Sequence, residues 1–400
     1  MSPTSSGGSE KNGQTVNKKR PPTITNSIDT MTSSEGTIQP QRLLTLLQRL
    51  IDIYSPSGKE EEIVDFLHGY LKRRGLPVMR QSLEDDSRQN LLVMPHDGDL
   101  EMALVGHLDT VTAYDLDHYE YRKNDDVITG LGAADMKGGC AAMIEAFVSL
   151  WEATPSPPPV GLALVVGEEE EGDGAERLVE EFHVPWAVIG EPTELHPCLS
   201  HYGYIEIQIV VRGIRMHPSL ANRKRNPIEV MLSLIARIAH YVKQEQPDIV
   251  YNVRDLFSSR AGFVVPDWCE ASLDVHLPPL APVGQITMEL EEILAEEHRD
   301  DPDLDVTVRF ITIDSGYELP EKGPVVEALK QFYRGRNLPW RPEPFRSHSD
   351  ANQLWAAGIK PILLGPGSLE HAHMPEESIT FSEVLLAAEL YLELLCGVAG

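Results

Sequence analysis

Apolar residues recur along the chain with two different periods, and the switch between them marks where its organisation changes. Leu43, Leu44, Leu47, Leu50 and Ile51 follow helical spacing from near Pro40. A second helix is expected over residues 59–74, with Gly75 stopping it. Apolar strands and helices then alternate through residues 90–95, 102–107, 138–151, 160–167, 175–182 and 187–190. Residues 103–105 and 162–166 are nearly unbroken apolar runs, as strands buried on both faces by helices require. The proline-rich stretch 155–159 reads as a connector.

At about Tyr202 the period drops to two. Ile205, Ile207, Ile209 and Val211 share one strand face, and Asn226 and Pro227 form the N-cap and first position of a helix. Strands are expected near residues 262–265 and 270–277, a Glu-rich helix over 285–298 and a strand over 306–314. That β-α-β-β-α-β order is the ferredoxin-like one. A helix over 324–335 and a strand over 361–364 return to the earlier style. The fold class is therefore α/β, a catalytic domain with a mixed sheet flanked by helices, plus an inserted ferredoxin-like α+β domain. The expected limits are a disordered tail at 1–35, the catalytic domain at 36–201 and 316–400, and the insertion at 202–315. The tail is rich in Ser, Thr, Gly and Lys and almost free of large apolar residues.

Composition narrows the partners. With 62 acidic against 34 basic residues the formal charge is −28, which argues against nucleic acid and anionic membranes. The rest of that acidity reads as a solubility or high-salt feature. No apolar run approaches the roughly 18 residues of a membrane span, and no signal-type segment opens the chain. Cys140, Cys198, Cys269 and Cys396 are scattered, as small core residues of a reduced cytoplasm would be.

Five segments carry residues of metal-ligand type at element ends. In Gly106-His107-Leu108-Asp109 the period of two places His107 and Asp109 on one face, so that one can ligate and the other fix its ring. Gly130-Leu131-Gly132-Ala133-Ala134-Asp135-Met136-Lys137-Gly138-Gly139 surrounds a single carboxylate with small residues that permit close backbone approach. Gly167-Glu168-Glu169-Glu170-Glu171-Gly172 leaves a buried strand at the edge where open α/β sheets bind ligands. Gly190-Glu191-Pro192-Thr193 and Glu370-His371-Ala372-His373-Met374-Pro375-Glu376-Glu377 complete the set. Each alone has an ordinary structural reading: a satisfied histidine, a capping aspartate, a solvated acidic run. Five in succession do not.

The set resembles the co-catalytic zinc deacylases and exopeptidases that include acetylornithine deacetylase, succinyl-diaminopimelate desuccinylase and glutamate carboxypeptidase, over residues 40–400. The resemblance implies a homodimer joined through the inserted (lid) domain and two divalent ions, zinc with cobalt as a substitute. His107, Asp135 and Glu191 would hold one ion; Asp135, Glu169 and His373 would hold the other, with Asp135 bridging. Asp109 would orient His107, and Glu168 would be the general base acting on a metal-bridging water. Counting back from Gly174-Ala175 sets this register, with Gly167 in place of the family's aspartate; a slip of one gives Glu169 and Glu170. His217, in Gly213-Ile214-Arg215-Met216-His217-Pro218-Ser219, would donate to the oxyanion in the partner subunit's site.

Two departures bear on substrate. Relatives read N-V-V-P and D-x-R where this chain has Phe263-Val264-Val265-Pro266 and Asp274-Val275-His276, and an imidazole lacks an arginine's two-pronged grip on a carboxylate. Arg215, Arg260 and Arg346 are the candidate replacements. Gly365-Pro366-Gly367-Ser368 is closer to the acetylornithine deacetylase branch, and Ser349-Asp350-Ala351 matches a segment beside the family's site. The expected activity is deacylation of a small N-acyl amino acid in the cytoplasm. The alternatives are a dipeptidase or carboxypeptidase of the same fold and, as a minor one, a non-catalytic binding relative.

Overall fold

The computed structural model describes residues 36–398 except 86, 96–99, 117–118, 155–158, 224, 260–261 and 301–304. The expected tail at 1–35 and most of the proline-rich connector lie outside the described residues. The main body is built on a six-stranded sheet in the order Val78–Ser82, Gln89–Val93, Val160–Val165, Met102–His107, Trp186–Ile189, Lys360–Leu363. The last four strands are mutually parallel, while Gln89–Val93 pairs antiparallel with both of its neighbours near one edge. Every residue of Met102–His107 and of Val160–Val165 is buried, which explains their unbroken apolar sequences.

Helix Gly138–Ala153 lies against this sheet, buried from Gly138 through Leu150. Helix Phe381–Val398 packs on it, with helix Pro324–Gly335 beyond. Strand Val78–Ser82 and helix Phe381–Val398 were not among the elements expected from the sequence. The helix is apolar nearly all round, so it carries little of the one-sided periodicity that marks an amphipathic helix. The N-terminal helix Pro40–Asp52 buries Leu43, Leu46, Leu47, Leu50 and Ile51. Arg42 fastens it to Gly138–Ala153, its guanidinium donating to both oxygens of the fully buried Glu145 at 2.6 and 2.9 Å and to Ser149 Oγ at 3.0 Å.

Residues 203–314 form a four-stranded antiparallel sheet in the order Val250–Ser258, Trp268–Leu277, Gly203–Arg212, Asp305–Asp314, backed by helices Pro227–Glu245 and Val283–Asp300. This is the ferredoxin-like arrangement, with a hydrophobic cluster of its own. Ile205, Ile207, Ile209 and Val211 meet Leu234, Ile238 and Leu290 there. Asn226 caps the first helix by accepting from the Ile228 N–H at 3.0 Å, with Pro227 at its first position. One expected strand is misplaced. Residues 262–265 are a loop in which Gly262 has φ 62° and Phe263 is 96% exposed. The strand is Val250–Ser258, an edge strand with no buried residue, whose Asn252, Arg254 and Asp255 interrupt the apolar pattern. Among the described residues no helix is long and apolar enough to cross a membrane.

Removing Arg42 leaves the Glu145 charge buried without its partner. Arg42→Ala should therefore destabilise the main body by about 3–5 kcal/mol, read as a lower urea midpoint. An unchanged midpoint would show that the pair contributes nothing net.

Candidate metal centre

Three neighbouring parallel strands bring the first residues together. His107 ends its strand, opposite Val165 of Val160–Val165, and Leu104 lies opposite Val188 of Trp186–Ile189. Adjacent strands are about 4.8 Å apart. The segments leaving them therefore deliver His107, Glu168, Glu169 and Glu191 to one place. Asp135 arrives from the turn before helix Gly138–Ala153, and His373 from the loop after Lys360–Leu363. The approach is close enough to demand glycine. A Cβ on Gly139 would lie 2.1 Å from the Gly190 carbonyl oxygen.

Asp135 sits at the middle. Its carboxylate is 3.2 Å from His107 Nε2 and 3.4 Å from His373 Nε2. Glu191 lies 3.9 Å from His107 Nε2, and Glu169 lies 2.9 Å from His373 Nε2. Two ligand-type triads, His107–Asp135–Glu191 and Asp135–Glu169–His373, thus share Asp135. A third grouping joins His107 to Glu168 and Glu169, but His107 Nε2 is nearer Asp135 than Glu168, which is 3.8 Å away. Glu170 and Glu171 are exposed and belong to no such group.

The electrostatics show what the donor set lacks. Burial and neighbouring carboxylates hold Glu168 and Glu191 well above the usual carboxylate range. Burial pulls the same way on Asp135, yet hydrogen bonds from His107 and His373 outweigh it and hold its carboxyl low. Hydrogen bonds to Asp135 and Glu169 in turn push the His373 imidazole up to about 11. Glu191 Oε1 is buried with no hydrogen-bond partner. His107 and His373 are the groups that draw the carboxyls of this cluster down. Divalent cations fit this set: carboxylate and imidazole donors, excess negative charge and an unsatisfied oxygen.

Backbone contacts hold the donors in place. The Asp109 carboxylate accepts from Ser57 Oγ at 2.7 Å and from the Glu168 and Glu169 N–H groups at 3.2 and 3.0 Å. His107 Nδ1 lies 3.1 Å from the Asp109 carbonyl and 3.7 Å from its carboxylate. Asp109 thus pins the glutamate turn as well as standing behind the histidine. Glu377, for which the sequence suggested no role, does the same for the Asp135 turn. Its carboxylate accepts from Gly132, Ala134 and Asp135 N–H groups at 2.8, 2.8 and 2.9 Å. The signal was its place four residues after His373, in a segment already marked by its histidines. Asp350 is buried nearby with neither carboxylate oxygen partnered, and burial pushes it up to about 7.

A cavity of about 840 Å³ separates this cluster from the sheet of residues 203–314. Its far wall carries Tyr204, Glu206, Arg254, Asp274, His276 and His348. Of the arginines expected to grip a carboxylate, Arg215 pairs instead with Asp267 at 3.1 Å, Arg346 is exposed and does not line the cavity, and Arg260 lies outside the described residues. Arg254, on the strand the sequence did not reveal, is the arginine facing the cavity; it pairs with Glu206 and with Asp274. His217 is exposed, bonded to Ser219 Oγ at 2.8 Å, and does not line the cavity of its own chain.

Histidines and carboxylates gathered at the carboxyl ends of a parallel sheet, below a cavity roofed by a second unit, define a hydrolase of amide or peptide bonds. The model of peptidase family M20/M25/M40 matches residues 103–396, and the chain belongs to that family. It is 27% identical over 410 residues to a probable carboxypeptidase of Aspergillus flavus, covering 94% of this chain and 92% of that one. To an acetylornithine deacetylase of Myxococcus xanthus it is 26% identical over 351 residues, covering 81% and 90%. A crystal structure of a Staphylococcus aureus tripeptidase shares the fold, with a TM-score of 0.76 at 22% identity, covering 91% of this chain and all (100%) of that one.

In Glu377→Gln the amide oxygen can still accept from the Ala134 and Asp135 N–H groups, but the amide NH2 then faces the Gly132 N–H, donor against donor. The variant should lose about 1–3 kcal/mol of stability, measured by chemical denaturation. Wild-type stability in that variant would remove Glu377 from the scaffold.

Proposed function

We propose that the protein is a dinuclear zinc amidohydrolase that removes the acyl group from a small N-acyl amino acid. The observation that carries this reading is the shared carboxylate of Asp135, set between His107 and His373 within two separate ligand triads. His107, Asp135 and Glu191 would hold one ion, and Asp135, Glu169 and His373 the other. When bound, such a pair supplies Lewis acidity to the scissile carbonyl and to the attacking water. Glu168, beside this cluster and lining the cavity, takes the proton from water and delivers it to the leaving amine. Asp109 keeps that base in position through the Glu168 N–H. The polar wall of Tyr204, Arg254 and His276 receives the amino-acid half.

The deacetylase relative supports the acyl-amino-acid reading. The carboxypeptidase relative supports a second one, a carboxypeptidase or dipeptidase using the same residues on a short peptide. Turnover of N-acetyl amino acids against dipeptides, with zinc or cobalt added, separates them. Hydrolysis of peptides alone would overturn the deacylase reading.

Exhaustive chelation should abolish activity, and zinc or cobalt should restore it; full activity in protein shown to be metal-free would refute the metal role. Glu168→Gln should lower turnover by about 10²–10⁴-fold with metal content intact. Glu169→Gln should lose metal as well. The reverse pattern would place the base one residue later.

The unit at residues 202–315 is read as the dimerisation unit, and His217 as the oxyanion donor to the partner subunit. A donor acting in the transition state is worth about 100- to 1000-fold in turnover. Mixing inactive His217→Ala with inactive Glu168→Gln should therefore restore partial activity, because one site of each mixed dimer then holds both residues. No recovery despite demonstrated subunit exchange would exclude donation between subunits.

A further inference from the structure

A second cavity, of about 300 Å³, adjoins the charged one at His373. The two share Val111 and His373 in their linings, so they meet at the metal-ligand cluster. Their chemistry differs. The half-buried part of the second cavity is Val111, Ala113, Tyr119 and Leu131, while its charged groups, Asp115, Arg122 and Glu376, are exposed at the mouth. Tyr114, 83% exposed, and Met374, 54% exposed, flank it.

The walls are held by the main chain and by aromatic contact. The Tyr54 hydroxyl lies 3.2 Å from the Ala113 N–H, its ring is 5.1 Å from that of Tyr119, and the Tyr119 carbonyl accepts from the Leu131 N–H at 3.0 Å. The space therefore does not depend on loose side chains alone.

We propose that this second cavity is the carbonyl-side subsite of the reaction and takes a bulky apolar or aromatic group. The proposal rests on the amide-hydrolase reading. An amide substrate reaching the cluster must send its amine half one way and its carbonyl half the other. In both an N-acyl amino acid and the C-terminal residue of a dipeptide the amine half bears an ionised carboxylate. That half belongs with Arg254 and the polar wall of the larger cavity. The carbonyl half is left with the apolar side, whose volume lies at the lower end of the roughly 300–1,000 Å³ usual for small-molecule sites. A two-carbon acetyl group would leave most of it unfilled. The preferred group is therefore an aryl-acyl or long alkyl-acyl chain, or a large apolar N-terminal side chain. Hydrolysis adds water across the C–N bond, giving the carboxylic acid in this cavity and the free amine in the other.

The test measures kcat/KM for the full chain loaded with zinc or cobalt on matched pairs. N-acetyl and N-phenylacetyl derivatives of one amino acid form one pair; Gly- and Phe- dipeptides with one C-terminal residue form the other. The bulky member should be favoured by about tenfold or more, on the scale of a filled apolar pocket. Tyr114→Ala, at an exposed position, should cut that preference by about two- to tenfold. If no N-acyl amino acid reacts but Phe- dipeptides outrun Gly- dipeptides, the deacylase reading fails and the subsite stands. If the acetyl and Gly- substrates are equal or better, or if Tyr114→Ala leaves the preference intact, the subsite assignment is overturned. Equilibrium binding of phenylacetate against acetate reads the same cavity without turnover, and equal affinities would also overturn it.

Discussion

Four carboxylates that repel one another are held in one largely buried place, and the rest of the main body is organised around tolerating that. Glu168 and Glu191 respond by holding protons more tightly than free carboxylates, while Asp135 stays ionised only because two imidazoles face it. Such a cluster is costly in the absence of cations and becomes favourable once they are present. The neighbouring scaffold consists of contacts that fix backbone where side chains must converge. Asp109 grips the Glu168–Glu169 turn, Glu377 grips the Asp135 turn, and Gly139 lets a helix start reach the Gly190 carbonyl.

That division of labour connects fold to chemistry. The parallel strands set the spacing of the donors, and the turns after them set their directions. Among its described residues the unit at residues 203–314 adds no member to the ligand-type groups; it adds a charged wall across the larger cavity. Its edge strand holds Arg254, and the Tyr204 ring lies 5.3 Å from that of His276 and 4.8 Å from that of His348. The wall is therefore aromatic and charged at once, whereas the second cavity has an apolar and aromatic half-buried lining and keeps its charged groups exposed. On the proposed assignment, a substrate with unlike ends would find unlike surroundings on either side of the scissile bond.

Much of this was legible in the sequence because burial leaves a direct mark on residue type. Strand Met102–His107 shows itself as an unbroken apolar run and Gly203–Arg212 as strict alternation. The residues that cluster could be picked out because histidine and acid next to glycine at the end of an apolar run are out of place without a task. What was hidden lacked such a mark. Val250–Ser258 is an edge strand with Asn, Arg and Asp along it, while Phe263-Val264-Val265 looks like a strand and is a loop. Arg254 was missed along with its strand. Glu377 could not be assigned because its partners are backbone N–H groups, which have no signature in side-chain identity.

The most direct measurement is anomalous diffraction from crystals of the zinc-loaded protein, which counts the ions and places them. The expected result is two zinc ions per chain about 3.5–4 Å apart, with the Asp135 carboxylate between them. A single ion, or two ions that do not share Asp135, would contradict the role given to that residue and the mechanism built on it.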